Sequence, residues 1–342
     1  MRFLQKATLR RWVAAGLYHT GLTRPLSQVL AYSEKTPVFQ VFTYHRVNDD
    51  RDPFFPSVPT DIFERRIAYI ARTYRVLTVE ELADCMRHSV LPRKAVAITF
   101  DDGYRDTLTH AAPILARHGV PATIFLATGF IGTAEVPWFD RLAMAFKYTK
   151  TASLVAPWGE TLELTDRAAR VLAMERLQTC LRTLPDDERR RTVDGVLKAL
   201  GVTGRNFFKN LMLNWEDVHA LASLGFSIGA HTVNHPILSR ISPERAWKEI
   251  LGSRAMIETA CGRPPRAFAY PSGKAEDYTD AVKNLVREAG FTCAVTTRFG
   301  TNTGRTSPYE LRRGGPWEDH LPTYALKLAW YRATTRDGSP QR

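Results

Sequence analysis

Cysteine is scarce. The 342-residue chain has four, Cys85, Cys180, Cys261 and Cys293, far apart and without a Cys-x-x-Cys pair. That spacing indicates neither a disulfide framework nor a thiolate zinc site, so reduced, partly buried thiols are expected. Long apolar runs are missing as well. The stretch at 12–17 is too short and too interrupted for a membrane span, and no small-residue cleavage site follows a proper hydrophobic segment. Neither a transmembrane helix nor a signal peptide is therefore expected, and the location expected is cytoplasmic. No internal repeat is visible, and no RNP-like aromatic strand or other nucleic-acid motif. Acidic residues are in deficit, 35 against 47 Lys and Arg, for a formal net charge of +12. Such a balance favours anionic surfaces, but the basic residues are spread along the chain, and no nucleic-acid partner is expected. Core material is plentiful. At 44% apolar residues the chain can build one large α/β core, a barrel of about 250 residues with additions.

The apolar run Ala95-Val96-Ala97-Ile98 leads straight into Thr99-Phe100-Asp101-Asp102-Gly103-Tyr104. This reads as a core strand of a parallel sheet that ends in two adjacent carboxylates, with a glycine to let the backbone turn sharply. Alternation along a strand predicts that Asp101 and Asp102 point to different sides of the strand end, in unlike environments that suit unlike roles. A second strand-like run, Phe226-Ser227-Ile228-Gly229-Ala230, leads into His231-Thr232-Val233-Asn234-His235. Histidines four apart share one face of a helical turn, where both can grip one ion. A carboxylate from elsewhere then completes a two-His-one-carboxylate set with an open position for water. Taken alone, the aspartates could be solvated loop acids, and the histidines one exposed and one capping side chain. Together they point to a hydrolytic metal site. A third run, residues 37–45, is apolar almost throughout and ends at His45, at the strand end where a parallel barrel gathers its chemistry.

These two motifs resemble the first and second motifs of the polysaccharide deacetylase superfamily, carbohydrate esterase family four with its NodB-homology domain. The resemblance covers roughly 38–134 and 214–313. It implies an irregular (β/α) barrel of the polysaccharide deacetylase type, an α/β fold, with Asp101 as general base and Asp102, His231 and His235 as metal ligands. Phe268-Ala269-Tyr270-Pro271-Ser272-Gly273 resembles the third motif, whose late backbone amide serves the oxyanion; it places Ser272 there, with Tyr270 and Tyr104 beside the substrate. Ala269 stands where many members have Arg, and Ser272 where many have Tyr. Tyr44-His45-Arg46-Val47 resembles the first-strand segment of the exopolysaccharide-deacetylating branch, which makes His45 the general acid. The late Leu-x-His of the family is replaced by Leu311-Arg312-Arg313, and His320 is the nearby substitute. The implied cofactor is a divalent ion, zinc first, with cobalt, nickel or manganese as alternatives. The implied reaction removes an N-acetyl group from an amino sugar or glycan. Two alternatives remain open: hydrolysis of another amide, such as a formylated lipid-linked sugar, and a non-catalytic glycan-binding or membrane-associated protein on the same fold.

The remaining chain divides into a basic amphipathic arm (1–36), two barrel parts (37–134 and 211–320), a mostly helical insertion (135–210) and a C-terminal helix and tail (321–342). The arm can lie on an anionic membrane face, peripheral to the inner side of the membrane, or pack on the barrel. Helices are expected over 60–74, 78–87, 105–118, 214–224, 243–261 and 276–289, and further strands over 121–128, 291–296 and 309–313. Phe54 and Phe55 in a proline-rich loop could stack on a sugar or join the core. In the insertion, a hairpin surrounds Trp158, and the charge run at 185–191 reads as a helix cap with a solvated first turn. Trp138 and Asp140, nearest the strand end at Thr128, are placed by the substrate.

Overall fold

The computed structural model describes residues 2–23, 25, 37–202, 208, 210–315 and 317–334; parts of the expected arm (26–36) and tail (335–342) lie outside them. The strands are β1 (Val38–Tyr44), β2 (Arg75–Val76), β3 (Ala95–Phe100), β4 (Thr123–Leu126), β5 (Ser153–Val155), β6 (Thr161–Glu163), β7 (Ser227–Ala230), β8 (Ala267–Ala269), β9 (Cys293–Val295) and β10 (Asn302–Thr303). The helices are α1 (Arg2–His19), α2 (Thr60–Thr73), α3 (Val79–Arg87), α4 (Ala112–Arg117), α5 (Trp138–Tyr148), α6 (Arg167–Leu181), α7 (Asp186–Ala199), α8 (Trp215–Ser223), α9 (Pro243–Cys261), α10 (Asp280–Glu288) and α11 (Leu321–Thr334). The main sheet runs β10-β1-β3-β4-β7-β8-β9, with β2 also paired to β3, and it is parallel except for β10.

β1 and β3 are buried along their whole length, as in a parallel sheet covered on both faces. Phe42, Val96, Ile98 and Phe100 pack outward into the helical layer, while Phe39, Val41, Ala95 and Ala97 fill the inside with Phe125 and Val295. The curl is completed at the seam between β9 and β1 by an irregular segment. Leu311 bridges Val295, and the Gly314 N–H donates to the Val41 carbonyl at 2.9 Å. The strand expected over 309–313 is thus a single bridge.

Two expected helices also differ. Residues 107–111 form a π-turn before α4; Pro113, without an N–H to donate, sits just after the shift in register. The helix expected from 276 begins at Asp280, where Thr279 caps it. The others fall close to expectation, α3 with the Thr78–Glu81 capping box and α9 with Ser242 as its cap.

The insertion closes around its own core of Leu142, Phe146, Leu154, Leu162, Leu177 and Val193, which Phe54 and Phe55 join from the barrel side. The charge run at its third helix is not a solvated turn. Asp186 is 2% exposed and Arg189 is buried with it, because Asp186 accepts bonds from Arg189, Arg190 and Arg245. Arg245 belongs to α9, so this carboxylate ties the insertion to the barrel.

Candidate active site

Asp101 follows the strand alternation of Ala95, Ala97 and Thr99 and faces the barrel interior. Asp102 breaks that alternation. Its φ is 72°, and Gly103 after it has φ 88°, where a Cβ would sit 2.8 Å from Ile131 Cδ1. Both carboxylates therefore open into one cleft of about 550 Å³, not to different sides. The histidines likewise converge without a helical turn. Thr232 and His235 take left-handed φ values of 66° and 53°. The bend is pinned by the buried Glu249 carboxylate, which accepts from the backbone N–H of Val233 and Asn234 and from Asn234 Nδ2 at 2.8–2.9 Å. Asp102, Thr232, His235 and Ser272 are four of the eight non-glycine residues with positive φ among the described residues. Backbone strain is thus concentrated at this cleft, at roughly 1–3 kcal/mol per residue.

One donor atom from each of Asp102, His231 and His235 lies within 4.8 Å of the others. The Nε2 atoms of His231 and His235 stand 3.5 and 3.3 Å from Asp102 Oδ1. His231 Nδ1 is 2.7 Å from the Ala269 carbonyl; as an N–H donor to that oxygen it leaves the Nε2 lone pair facing the cleft. Burial lowers the pKa of His231 to about 4 against the pull of Asp101, and burial, with neighbouring cationic groups such as Arg189, puts that of His235 well below its ordinary value. Both rings are therefore neutral. Asp102 is pushed well above the usual carboxylate range by burial and by the charges of Asp101 and Asp140, and its Oδ1 is buried without a hydrogen-bond partner. Two neutral imidazoles and an orphaned carboxylate oxygen suit a divalent cation, whose charge would stabilise the ionised acid.

Asp101 is in the opposite state. Burial would raise its pKa, but Arg313 overcomes that and holds the carboxyl well below the ordinary range. Arg313 Nη1 and Nη2 each donate to one carboxylate oxygen at 2.7 Å, in the two-pronged geometry that favours Arg over Lys. Arg313 is fixed in turn by the Thr296 carbonyl and Thr99 Oγ1. The guanidinium absent at Ala269 is thus supplied from the seam, at the place where the Leu-x-His was expected. The sequence signal was Leu311-Arg312-Arg313 itself, once read together with Ala269.

Other expected residues divide. His45 lines the cleft; the protein mass around it and the charge of Arg313 lower its pKa against the pull of Asp101. His320 stands just before α11, with Nδ1 2.8 Å from Thr323 Oγ1, and does not line the cleft. Ser272 lines it with φ 62°, and its backbone N–H has no acceptor among the described residues. Tyr104 donates its hydroxyl to Asp140 at 2.8 Å, and Trp138 stands beside them in the wall. Burial raises the Asp140 carboxyl to about 7 against the Tyr104 bond. Tyr270 does not belong to the site: it is 0% exposed, stacks on Tyr278 at 4.4 Å and donates to the Tyr309 carbonyl. A left-handed Ser272 two residues later turns the chain so that the ring stays in the core. Two features had no legible signal. Arg46 pairs with buried Asp106 at 2.9 Å and lies over the Tyr104 ring, and Arg182 of the insertion reaches Asp277 of the barrel at 3.4 Å.

A curled parallel barrel whose strand ends bring an Asp-His-His donor cluster beside a guanidinium-held aspartate defines a hydrolase-type α/β protein. The polysaccharide deacetylase family model matches residues 88–176 and 184–294, more than half of the chain, and the chain belongs to that family. It is 21% identical over 283 residues to YxkH of Bacillus subtilis, assigned by name to the polysaccharide deacetylases, covering 82% of this chain and 72% of that protein. Over 87 residues it is 33% identical to the Escherichia coli K12 poly-β-1,6-N-acetyl-D-glucosamine N-deacetylase, 25% of this chain and 13% of that protein. Among solved structures it resembles the Streptococcus pyogenes deacetylase PplD in complex with acetate, with TM-score 0.57, 19% identity and coverage of 87% of this chain and 99% of that one. IcaB from Ammonifex degensii gives 0.56 at 19% identity, covering 87% and 98%. These two likenesses show the fold.

Proposed function

We propose that the protein is a divalent-cation-dependent N-deacetylase of an amino-sugar glycan, releasing acetate. The observation that carries this reading is the opposite state of two adjacent carboxylates in one cleft: Asp101 ionised under Arg313, and Asp102 orphaned between two neutral histidines. Support for the substrate class comes from relatives named as poly-β-1,6-N-acetyl-D-glucosamine N-deacetylases.

Asp102, His231 and His235 would hold the cation, which when bound supplies Lewis-acid polarisation of the acyl group and the attacking water, with zinc the first choice. Asp101 accepts a proton from that water as it attacks the acyl carbon, and Arg313 keeps the carboxylate ionised and aimed. The Ser272 N–H is a free donor for the developing acyl oxyanion. As the C–N bond breaks, His45 in its protonated, imidazolium form donates a proton to the amine, which otherwise leaves poorly, and returns to the neutral ring. Tyr104, Trp138 and Asp140 form the wall against which the sugar rests. The products are acetate and a free amino sugar.

The test is acetate release from N-acetylglucosamine oligomers before and after chelation. Loss on chelation and recovery with zinc or cobalt is expected; full activity in a verified metal-free preparation would sink the reading. We further propose that α1 contacts an anionic membrane. Trp12 is 73% exposed beside Val13 and Arg11, while Ala14 is buried and α1 packs on α11. Deletion of the first 36 residues should weaken binding to phosphatidylserine vesicles and spare hydrolysis of a soluble substrate. Loss of soluble activity instead would mean that the helix serves only the fold.

A further inference from the structure

The hairpin turn of the insertion has no part in the chemistry above. Trp158 stands at its tip, 40% exposed, where Gly159 turns with φ 88° and donates back to the Ala156 carbonyl. The indole is braced. Its Nε1–H donates to Glu160 Oε2 at 2.9 Å, and Glu160 is gripped by both Nη atoms of Arg176 at 2.9 and 2.6 Å. The Arg176 guanidinium also lies 5.9 Å from the indole centroid. The turn is thus stapled to α6, and the ring is held out at a fixed place. Across from it on α6, Leu172 is 58% exposed. Between the two runs a shallow, open groove of about 610 Å³, fringed by Glu175, Arg176, Thr179 and Thr183.

A rigid exposed indole facing an aliphatic side chain, with hydroxyl and charged groups along the edge, matches a pyranose ring. The C–H face of the sugar covers the apolar surface and its hydroxyls meet the polar fringe. The groove adjoins the active cleft at Glu175, which borders both. Helical periodicity explains the adjacency: Met174 and Gln178 lie on the cleft side with Arg182 just past the helix end, and Leu172, Arg176 and Thr179 form the neighbouring stripe on the groove side, with Glu175 between the two.

We propose that this groove is a distal subsite for the same glycan chain that is deacetylated in the cleft, with Trp158 as the platform for a sugar ring outside it. The assignment rests on the deacetylase reading above. It makes the insertion a device for preferring polymer over short substrate, since a chain that fills both depressions gains contacts that a short one cannot reach. Those contacts are remote from the reacting bond, so they lower KM for long chains without changing kcat.

The experiment compares a disaccharide and an octasaccharide of β-1,6-linked N-acetylglucosamine as substrates for the wild type, Trp158→Ala and Leu172→Glu. In parallel, binding of both saccharides is followed by tryptophan fluorescence in the Asp101→Asn background, with and without Trp158→Ala. The expected result is a KM for the octasaccharide raised roughly tenfold in both groove variants, the size of losing one aromatic anchor. Disaccharide kinetics and kcat should stay as in the wild type, and Trp158→Ala should remove the part of the fluorescence change that the octasaccharide adds over the disaccharide, leaving the part that Trp138 reports from the cleft. Unchanged octasaccharide KM in both variants overturns the subsite and leaves the deacetylase reading standing. Trp158-dependent binding without acetate release from either substrate supports the groove as a glycan site and overturns the reaction. Neither binding nor release overturns both.

Discussion

The two walls of the cleft are built differently. The barrel wall carries Asp101, Asp102, His45, His231 and His235 at the ends of parallel strands, where the sheet fixes the backbone and packing fixes each side chain. The insertion wall carries Trp138, Phe139, Asp140 and Gln178 on α5 and α6, with Arg182 just past the end of α6; these helices rest on a separate core and reach the barrel through a few charged ties such as Asp186–Arg245 and Arg182–Asp277. Groups that must meet a reacting atom within fractions of an ångström sit on the stiffer wall, and groups that only need to shape a surface sit on the other. Changes on the barrel wall should therefore act on turnover, and changes on the insertion wall on substrate affinity.

The sharpest separation is expected inside the barrel wall. Asp101→Asn should keep its metal and lose turnover, whereas His231→Ala should lose both; metal analysis beside acetate release reads the difference, and equal metal loss in the two would reverse the roles. Next comes the proton donor. His45→Ala should cost about 10² to 10⁴-fold in kcat, roughly 3–5 kcal/mol in the barrier, with metal retained and the alkaline limb of the pH profile gone. His320→Ala should keep both, because its ring is engaged with Thr323 outside the cleft. The opposite pattern would move the acid to the C-terminal segment.

Arg313→Lys tests the seam. A lysine offers one point of charge where the guanidinium offers a fork, so the depression of the Asp101 pKa weakens and that pKa rises. A base must be ionised to act, so the acid limb of the kcat profile should move to higher pH; at neutral pH, where the carboxylate stays ionised, the lost second prong loosens its aim and kcat should fall about tenfold. An unmoved acid limb would show that Arg313 serves only packing. The smallest effect is expected on the other wall: Trp138→Ala should raise KM several-fold and leave kcat within about twofold. A loss of kcat comparable to that of His45→Ala would erase the distinction between the walls.

The residues of the donor set were legible in the sequence. An apolar run ending in Asp-Asp-Gly and another ending in His-x-x-x-His are local patterns, because strand burial and the residues at a strand end are written in neighbouring positions. The capping boxes of α3 and α8, Thr78 with Glu81 and Asn214 with Asp217, are local for the same reason. What the chain folded to decide was direction and partnership. Asp102 turns back beside Asp101 because Ile131 and Leu213 pack around Gly103, whereas strand alternation alone sends it away. Tyr270 stays in the core because Tyr278 and the Tyr309 carbonyl meet it there. The charge run at Asp186 is buried because Arg245, 59 residues on, comes to neutralise it. Arg313 reaches Asp101 across a separation of 212 residues. Such pairings depend on which distant segments the barrel's closure brings within a few ångströms, and no local pattern of apolar and polar residues encodes that distance.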